Sequence, residues 1–188
     1  MGEAAAIRGE ATRRRLLDAA VPLIGEAGWH AVTTRMVAQR AGVAPGVVHY
    51  HFASVTDLLI AASVGFVRGM LDRFAGELAQ RPGLDAGLGW LLTEVSRHDG
   101  ADPASLLVAE TYLAASRIPR LRDELAELVA DFRGRLAGWL ARSGAADPEA
   151  AAVVLGAAID GLILHRGLDP RLDLAALAGP LRSMLRKE

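Results

Sequence analysis

The sequence contains no cysteine and, beside twenty arginines, a single lysine, Lys187. The lack of cysteine excludes a disulfide framework, zinc–thiolate sites and thiol nucleophiles. Net charge is nearly absent as well: −1 over 188 residues, which argues against a broadly basic coat for polyanions. No apolar run is long enough for a bilayer. Ala150 to Leu164 comes nearest and is broken by Asp160. At about 1.5 Å per residue it reaches roughly 22 Å, against a hydrocarbon core of about 30 Å. The N-terminus carries Arg8, Arg13, Arg14 and Arg15 without an apolar stretch, unlike a secretory signal. Gly-x-Ser-x-Gly, His-Glu-x-x-His, a Walker loop and a metal-ligand cluster are all missing. Gly87-x-Gly89 is too short for a phosphate loop and has no strand before it. His49 and His51, two apart on a helix, point about 200° apart and do not share a metal. An enzyme, a metal site and a bound cofactor are therefore not expected, and the chain reads as cytoplasmic.

What is present is apolar. Hydrophobic residues make up 52% of the chain and mean hydropathy is +0.24, so a partner covering apolar surface is expected. The length fits one domain, or one small module on a larger one, with enough chain for a real core. Apolar residues recur at helical spacing with little period-two alternation, so the fold class is all-α, with about nine helices. The first helix is expected over Thr12 to Ala27, with Leu16, Ala19, Ala20, Leu23 and Ala27 on one face. Pro22 should loosen it, and Gly28 stops it. Thr33 or Thr34 caps a second helix to about Ala41, and Gly42 breaks it. Pro45 opens a third, to about Phe52. Ser54 caps a long fourth helix, with Asp57 at its third helical position. Further helices are expected at about 84–97, 103–116, 119–142 and 148–167. The ninth, about 174–186, contains Pro180, which must bend or restart it.

The informative segment is Thr34 to Ala53. Ala38, Gly42 and Val48 fall at the fifth, ninth and fifteenth positions of a twenty-residue helix-turn-helix. A small residue at Ala38 lets the second helix approach closely. Gly42 permits a positive φ in the turn. Val37, Ala41, Val43 and Val48 fill the interface between the helices. The spacing alone also fits any helical hairpin with a glycine turn. Charge adds a second line: from Ala27 to Thr56 there is no Asp or Glu, while Arg35, Arg40, His30, His49 and His51 are present. Binding a polyanion needs such groups at the contact, not over the whole surface.

These residues carry a resemblance. Thr12 to Leu59 resembles the N-terminal domain of TetR-type (TetR/AcrR) transcriptional regulators. The matching stretches are Arg14 to Ala20, Glu26 to Trp29, Thr33 to Val43, and Gly46-Val47-Val48-His49-Tyr50-His51-Phe52, followed by Ser54 and Leu58-Leu59. The remainder matches in length, in helix count and in Ile159-Asp160-Gly161-Leu162. Three positions depart from the family's usual pattern. Ala44 replaces a Ser or Thr cap, His49 stands where Tyr is common, and Val55 stands where Lys is common. The resemblance implies a helix-turn-helix DNA-binding domain over 1–53 and a helical ligand-binding and dimerisation domain over 54–188. It implies a repressor that binds a palindromic double-stranded operator as a homodimer and is released by a small, largely apolar effector. Thr33, Thr34 and Arg35 would meet phosphates. Pro45, Gly46, Val47 and His49 would meet bases, and Tyr50 and His51 either. Ser54 and Thr56 would hold another phosphate.

The eighth helix has one charge between Ala150 and Leu164, so a second copy is expected to cover its far side. Ala151, Gly156, Ala157 and Gly161 allow close helix approach, and Leu162, His165 and Leu181 complete the expected interface. Asp160 and His165 read first as satisfied buried polar groups, and otherwise as a ligand contact or an interface pair. Phe66, Met70, Trp90, Glu94, Glu110, Tyr112 and Phe132 are the candidate effector contacts. Among these, Trp90, Glu94, Glu110 and Tyr112 offer polar groups among apolar neighbours. The rival reading is a helical small-molecule-binding or adaptor protein with weakened DNA binding. Salt-sensitive binding to a palindrome discriminates the two.

Overall fold

The structure is a computed structural model that describes the backbone of residues 2–186 and the side chains of residues 6–186. Among the described residues there are nine α-helices and no strand: α1 (Gly2–Ala27), α2 (Thr34–Ala41), α3 (Pro45–His51), α4 (Val55–Ala79), α5 (Gly83–Ser96), α6 (Pro103–Ala115), α7 (Pro119–Arg142), α8 (Pro148–Leu168) and α9 (Ala178–Leu185). Short 3-10 turns precede α2 and α9. The all-α expectation holds. α1 starts ten residues before Thr12 and runs through Pro22. Pro180 lies in α9, which begins at Ala178 after a 3-10 turn rather than at Leu174. Helix starts follow the caps that the sequence offers. Thr33, Ser54, Asp102 and Asp147 each accept a bond from a backbone N–H three residues on.

The chain forms two compact units. The first comprises residues 1–67 and 106–125, the second 68–105 and 126–188. In the first unit, Leu16, Ala19, Ala20, Leu23 and Ile24 of α1 are buried, as are Val37 and Ala38 of α2 and Val48 of α3. Ala27, expected on the same face of α1, is exposed at the last position of the helix. The carboxylate of Glu110, on α6, accepts the Trp29 N–H at 2.8 Å, just after α1 ends. Arg120, on α7, reaches Asp57 in the first turn of α4 at 2.7 Å.

In the second unit, leucines of α5 pack with Phe132, Leu136, Trp139 and Leu140 of α7 and with Ala152, Leu155 and Ile159 of α8. Gly87 makes the α5–α7 approach possible: a Cβ there would lie 2.0 Å from the Trp139 ring. The loop after α5 is clasped to α8. Arg166 donates to the carbonyls of His98 at 2.9 Å and Ser96 at 3.3 Å. Gly100, at φ 76°, lies so close that a Cβ would meet backbone of Ile163 and Gly167 at 2.7 Å. Burial pushes the Asp102 carboxyl up, but bonds from Ser105 and His98 outweigh it and hold it below its ordinary range.

α8 has 21 residues, longer than the fifteen-residue run suggested, so about 31 Å at 1.5 Å per residue. Its length and composition alone would permit a membrane crossing, so the length argument against one does not stand. Much of its surface is uncovered in the single chain. Val153, Val154, Leu164 and Leu168 are exposed, Leu168 to 85%. Asp160 and His165 also lie on exposed positions, so the expectation that they are buried fails in the single chain. The apolar residues around them are themselves partly uncovered.

Candidate nucleic-acid interface

The turn between α2 and α3 is closed from three sides. Gly42 takes the left-handed conformation, φ 65° and ψ 40°. Its N–H donates to Gln39 O at 3.2 Å, and Val43 N–H donates to Ala38 O at 3.0 Å. This paired pattern satisfies the last carbonyls of α2. Arg15 of α1 adds a bond to Ala41 O at 2.6 Å. Ala38 and Val48 are fully packed, while Ala41 and Val43 are half-buried. A rigid corner therefore fixes α3 on α2.

α3 has Pro45 at its first turn and Ala44 as its cap residue, with no side-chain bond to the helix. A capping hydroxyl there is worth about 1 kcal/mol. His49 and Tyr50 are exposed, Val47 and His51 half-buried. Tyr50 is 83% exposed, its ring edge-on to His51 at 5.0 Å between centroids. The Tyr50 ring is thus turned to solvent and not into the core. Pro45 and Gly46 are exposed, as are Thr33 and Arg35 around the start of α2, with Thr34 half-buried. Thr33 Oγ1 caps α2 by accepting from Met36 N–H at 3.3 Å.

Of the two groups expected to hold a phosphate at the start of α4, Ser54 is already engaged. Ser54 Oγ accepts from Asp57 N–H at 3.0 Å and donates to the Asp57 carboxylate at 2.6 Å. Thr56, in the same first turn, is exposed. Arg40 makes a two-bond pair with Glu26, at 2.6 and 3.1 Å. That bond holds the Glu26 carboxyl below its ordinary range. The acid-free window thus has a counter-charge from just outside it. Arg35 has no carboxylate partner among the described residues. The sequence reading missed the parts Arg15 and Glu26 play around α2 and Glu110 plays at the end of α1, because their partners lie 14 to 81 residues away.

The candidate effector residues fall in both units. Phe66, Glu110 and Tyr112 belong to the first, and Met70, Trp90, Glu94 and Phe132 to the second. The carboxylate of Glu110 is turned to the Trp29 backbone, and Tyr112 is 48% exposed. Phe132 is buried, and Phe66 and Met70 are half-buried. Half-buried Trp90 packs on Phe74 at 4.9 Å and carries the Arg81 guanidinium over its ring at 5.4 Å. Glu94, also half-buried, pairs with Arg97 at 2.7 Å. A groove of about 720 Å³ lies elsewhere in the second unit, between α7 and α8, lined by Arg133, Gly134, Gly138, Pro148, Glu149 and neighbours. None of the seven residues lines it. Among the expected interface residues, Ala157 and His165 are exposed and Ala151, Gly156, Gly161, Leu162 and Leu181 half-buried. Ala151, Leu162 and Leu181 pack against the core of their own unit.

A buried α2–α3 corner beneath an exposed recognition helix defines a helix-turn-helix DNA-binding regulator. Comparison with known families agrees. The model for bacterial regulatory proteins of the tetR family matches residues 16–62, and that for the tetracyclin repressor-like C-terminal domain matches residues 82–187. The chain belongs to the TetR family of transcriptional regulators. It is 30% identical over 158 residues to the HTH-type transcriptional regulator BetI of Rhizobium meliloti, covering 83% of this chain and 78% of that protein. It is 26% identical over 184 residues to an uncharacterized HTH-type transcriptional regulator of Mycobacterium tuberculosis, covering 95% and 94%. Among solved structures, the regulator SCO7518 of Streptomyces coelicolor A3(2) superposes with a TM-score of 0.76 at 29% identity, covering 94% of this chain and 99% of that one.

Proposed function

We propose that this chain is a repressor that binds a palindromic operator as a homodimer and leaves it when a small, largely apolar effector binds. The single observation that carries the DNA reading is α3. It is a seven-residue helix with a packed inner Val48 and a tyrosine turned almost wholly to solvent at its outer face. Such exposure of an aromatic with a hydroxyl suits a phosphate or base partner. Residues 1–53 carry DNA binding in this reading, and 54–188 carry effector binding and dimerisation, in the cytoplasm and without catalysis. Two copies meet through the uncovered face of α8, and a two-fold dimer matches half-sites about one helical turn apart, ~34–36 Å, or a multiple. In the second unit, Trp90 and Glu94 are assigned to orient the effector, with Met70 and Phe132 as apolar wall. The effector acts by favouring a dimer whose recognition helices are wrongly spaced.

Selection from a random pool of duplex DNA at low salt tests the reading. The expected result is an enriched palindrome whose binding weakens steeply with salt. No enrichment at low salt would overturn it. The adaptor reading, favoured by the uncapped Ala44 and by the Arg40–Glu26 pair, would then stand.

A further inference from the structure

Of the arginines around the helix-turn-helix, the structure holds three in different ways. Arg40 is neutralised by Glu26. Arg15 is directed at the carbonyls that end α2, at 2.6 Å to Ala41 O. Arg13 is held by neither kind of group. Its guanidinium carbon lies 5.1 Å from the centroid of the Phe52 ring. Among the described residues it has no carboxylate within ion-pair distance. An aromatic face orients a guanidinium without cancelling its charge.

The place of Phe52 gives this contact its meaning. Phe52 closes α3, its N–H donating to Val48 O at 2.9 Å, one residue after His51 and two before Ser54. A full positive charge is therefore anchored at the corner where α3 ends and α4 begins. The acid at that corner, Asp57, is already matched by Arg120 at 2.7 Å, so it does not claim Arg13. The first residue of α4 at the same corner, Val55, carries no charge.

We propose that Arg13 is a DNA-phosphate contact: α1 supplies, through a guanidinium held on Phe52, a cation at the corner where α3 ends and α4 begins. The proposal rests on the DNA-binding reading. Phe52 fixes the direction of the group. The phosphate is the counter-charge that the protein itself withholds.

The test uses the full-length protein and its selected operator, with affinity measured across a salt series. Each phosphate contact contributes about 0.9 to the slope of log affinity against log salt. Arg13→Ala and Arg13→Gln are expected to flatten the slope by about 0.9 per subunit. Arg13→Lys is expected to keep it, because the charge remains. Adding Val55→Lys to Arg13→Gln should restore the slope. Arg13→Gln keeps a long polar side chain on Phe52, which separates charge from packing. A slope unchanged in both Arg13→Ala and Arg13→Gln would overturn the proposal even if affinity fell, since a packing brace alters affinity without altering the ion count. Such a result would leave the regulator reading intact. That reading fails separately if the wild-type protein shows no salt-dependent binding to any selected DNA.

Discussion

Tyr50 shows what a single residue contributes here. At 83% exposure its ring buries little within the chain, so the fold gains almost nothing from it. Tyr50→Ala is expected to leave the unfolding free energy unchanged within about 0.5 kcal/mol, the usual range for a surface substitution. Operator affinity should fall by about tenfold or more, since a hydrogen bond to a charged group is worth about 1.5–3 kcal/mol. Calorimetric unfolding and a binding titration on the same preparation check both halves. Unchanged affinity would contradict the assignment. At this scale the sequence was legible where chemistry is local. Gly42, Thr33 and Ser54 act within three or four residues of themselves, and each does what its type predicts. It was illegible where a distant partner decides. Arg40 reads as a free cation until Glu26, fourteen residues away on α1, is seen to hold it. Asp160 and His165 read as buried because burial was inferred from an apolar helix that the single chain covers on one side only.

At the scale of elements, periodicity and caps located the helices, and the errors have identifiable causes. α1 was expected from Thr12 because the apolar stripe begins there. The preceding Gly2 to Ala11 carries no stripe but four alanines, the best helix formers, which need none. How the elements are tied to one another was hidden. Glu110 was picked out as a carboxylate among apolar neighbours, which is correct, but its partner is a backbone N–H 81 residues away. Hydrophobic pattern carries no record of such a bond. Trp29 is 3% exposed, so removing the acceptor leaves a donor without water. Glu110→Ala is expected to cost about 1–3 kcal/mol, the penalty for an orphaned buried donor. Glu110→Gln keeps an acceptor oxygen and should lose less. Urea midpoints of the three proteins decide the matter. Equal midpoints would show that the bond contributes nothing to folding and return Glu110 to the effector candidates.

For the whole molecule, the high mean hydropathy finds its place on α8. The single chain leaves Val153, Val154, Leu164 and Leu168 uncovered on one helix, a patch that monomeric proteins rarely retain without a partner. Gly156 and Gly161 lie on this helix, and a Cβ added at either would meet nothing within 4 Å. That open space makes Gly161 a clean probe. Gly161→Trp has room in the single chain and replaces the poorest ordinary helix former, so circular dichroism and helix content should be unchanged. In a dimer packed through α8 the same indole must displace the partner helix. Sedimentation equilibrium is expected to show a dimer for the wild type and a monomer for Gly161→Trp at the same concentration. Affinity for the palindrome should then drop toward that of an isolated half-site, because the two recognition helices no longer arrive together. A half-site fragment should be bound equally by both proteins, which separates lost assembly from a damaged DNA head. A dimer that survives the substitution would place the two-fold contact away from this face of α8, with the α7–α8 groove beside Arg133 and Glu149 as the next surface to probe.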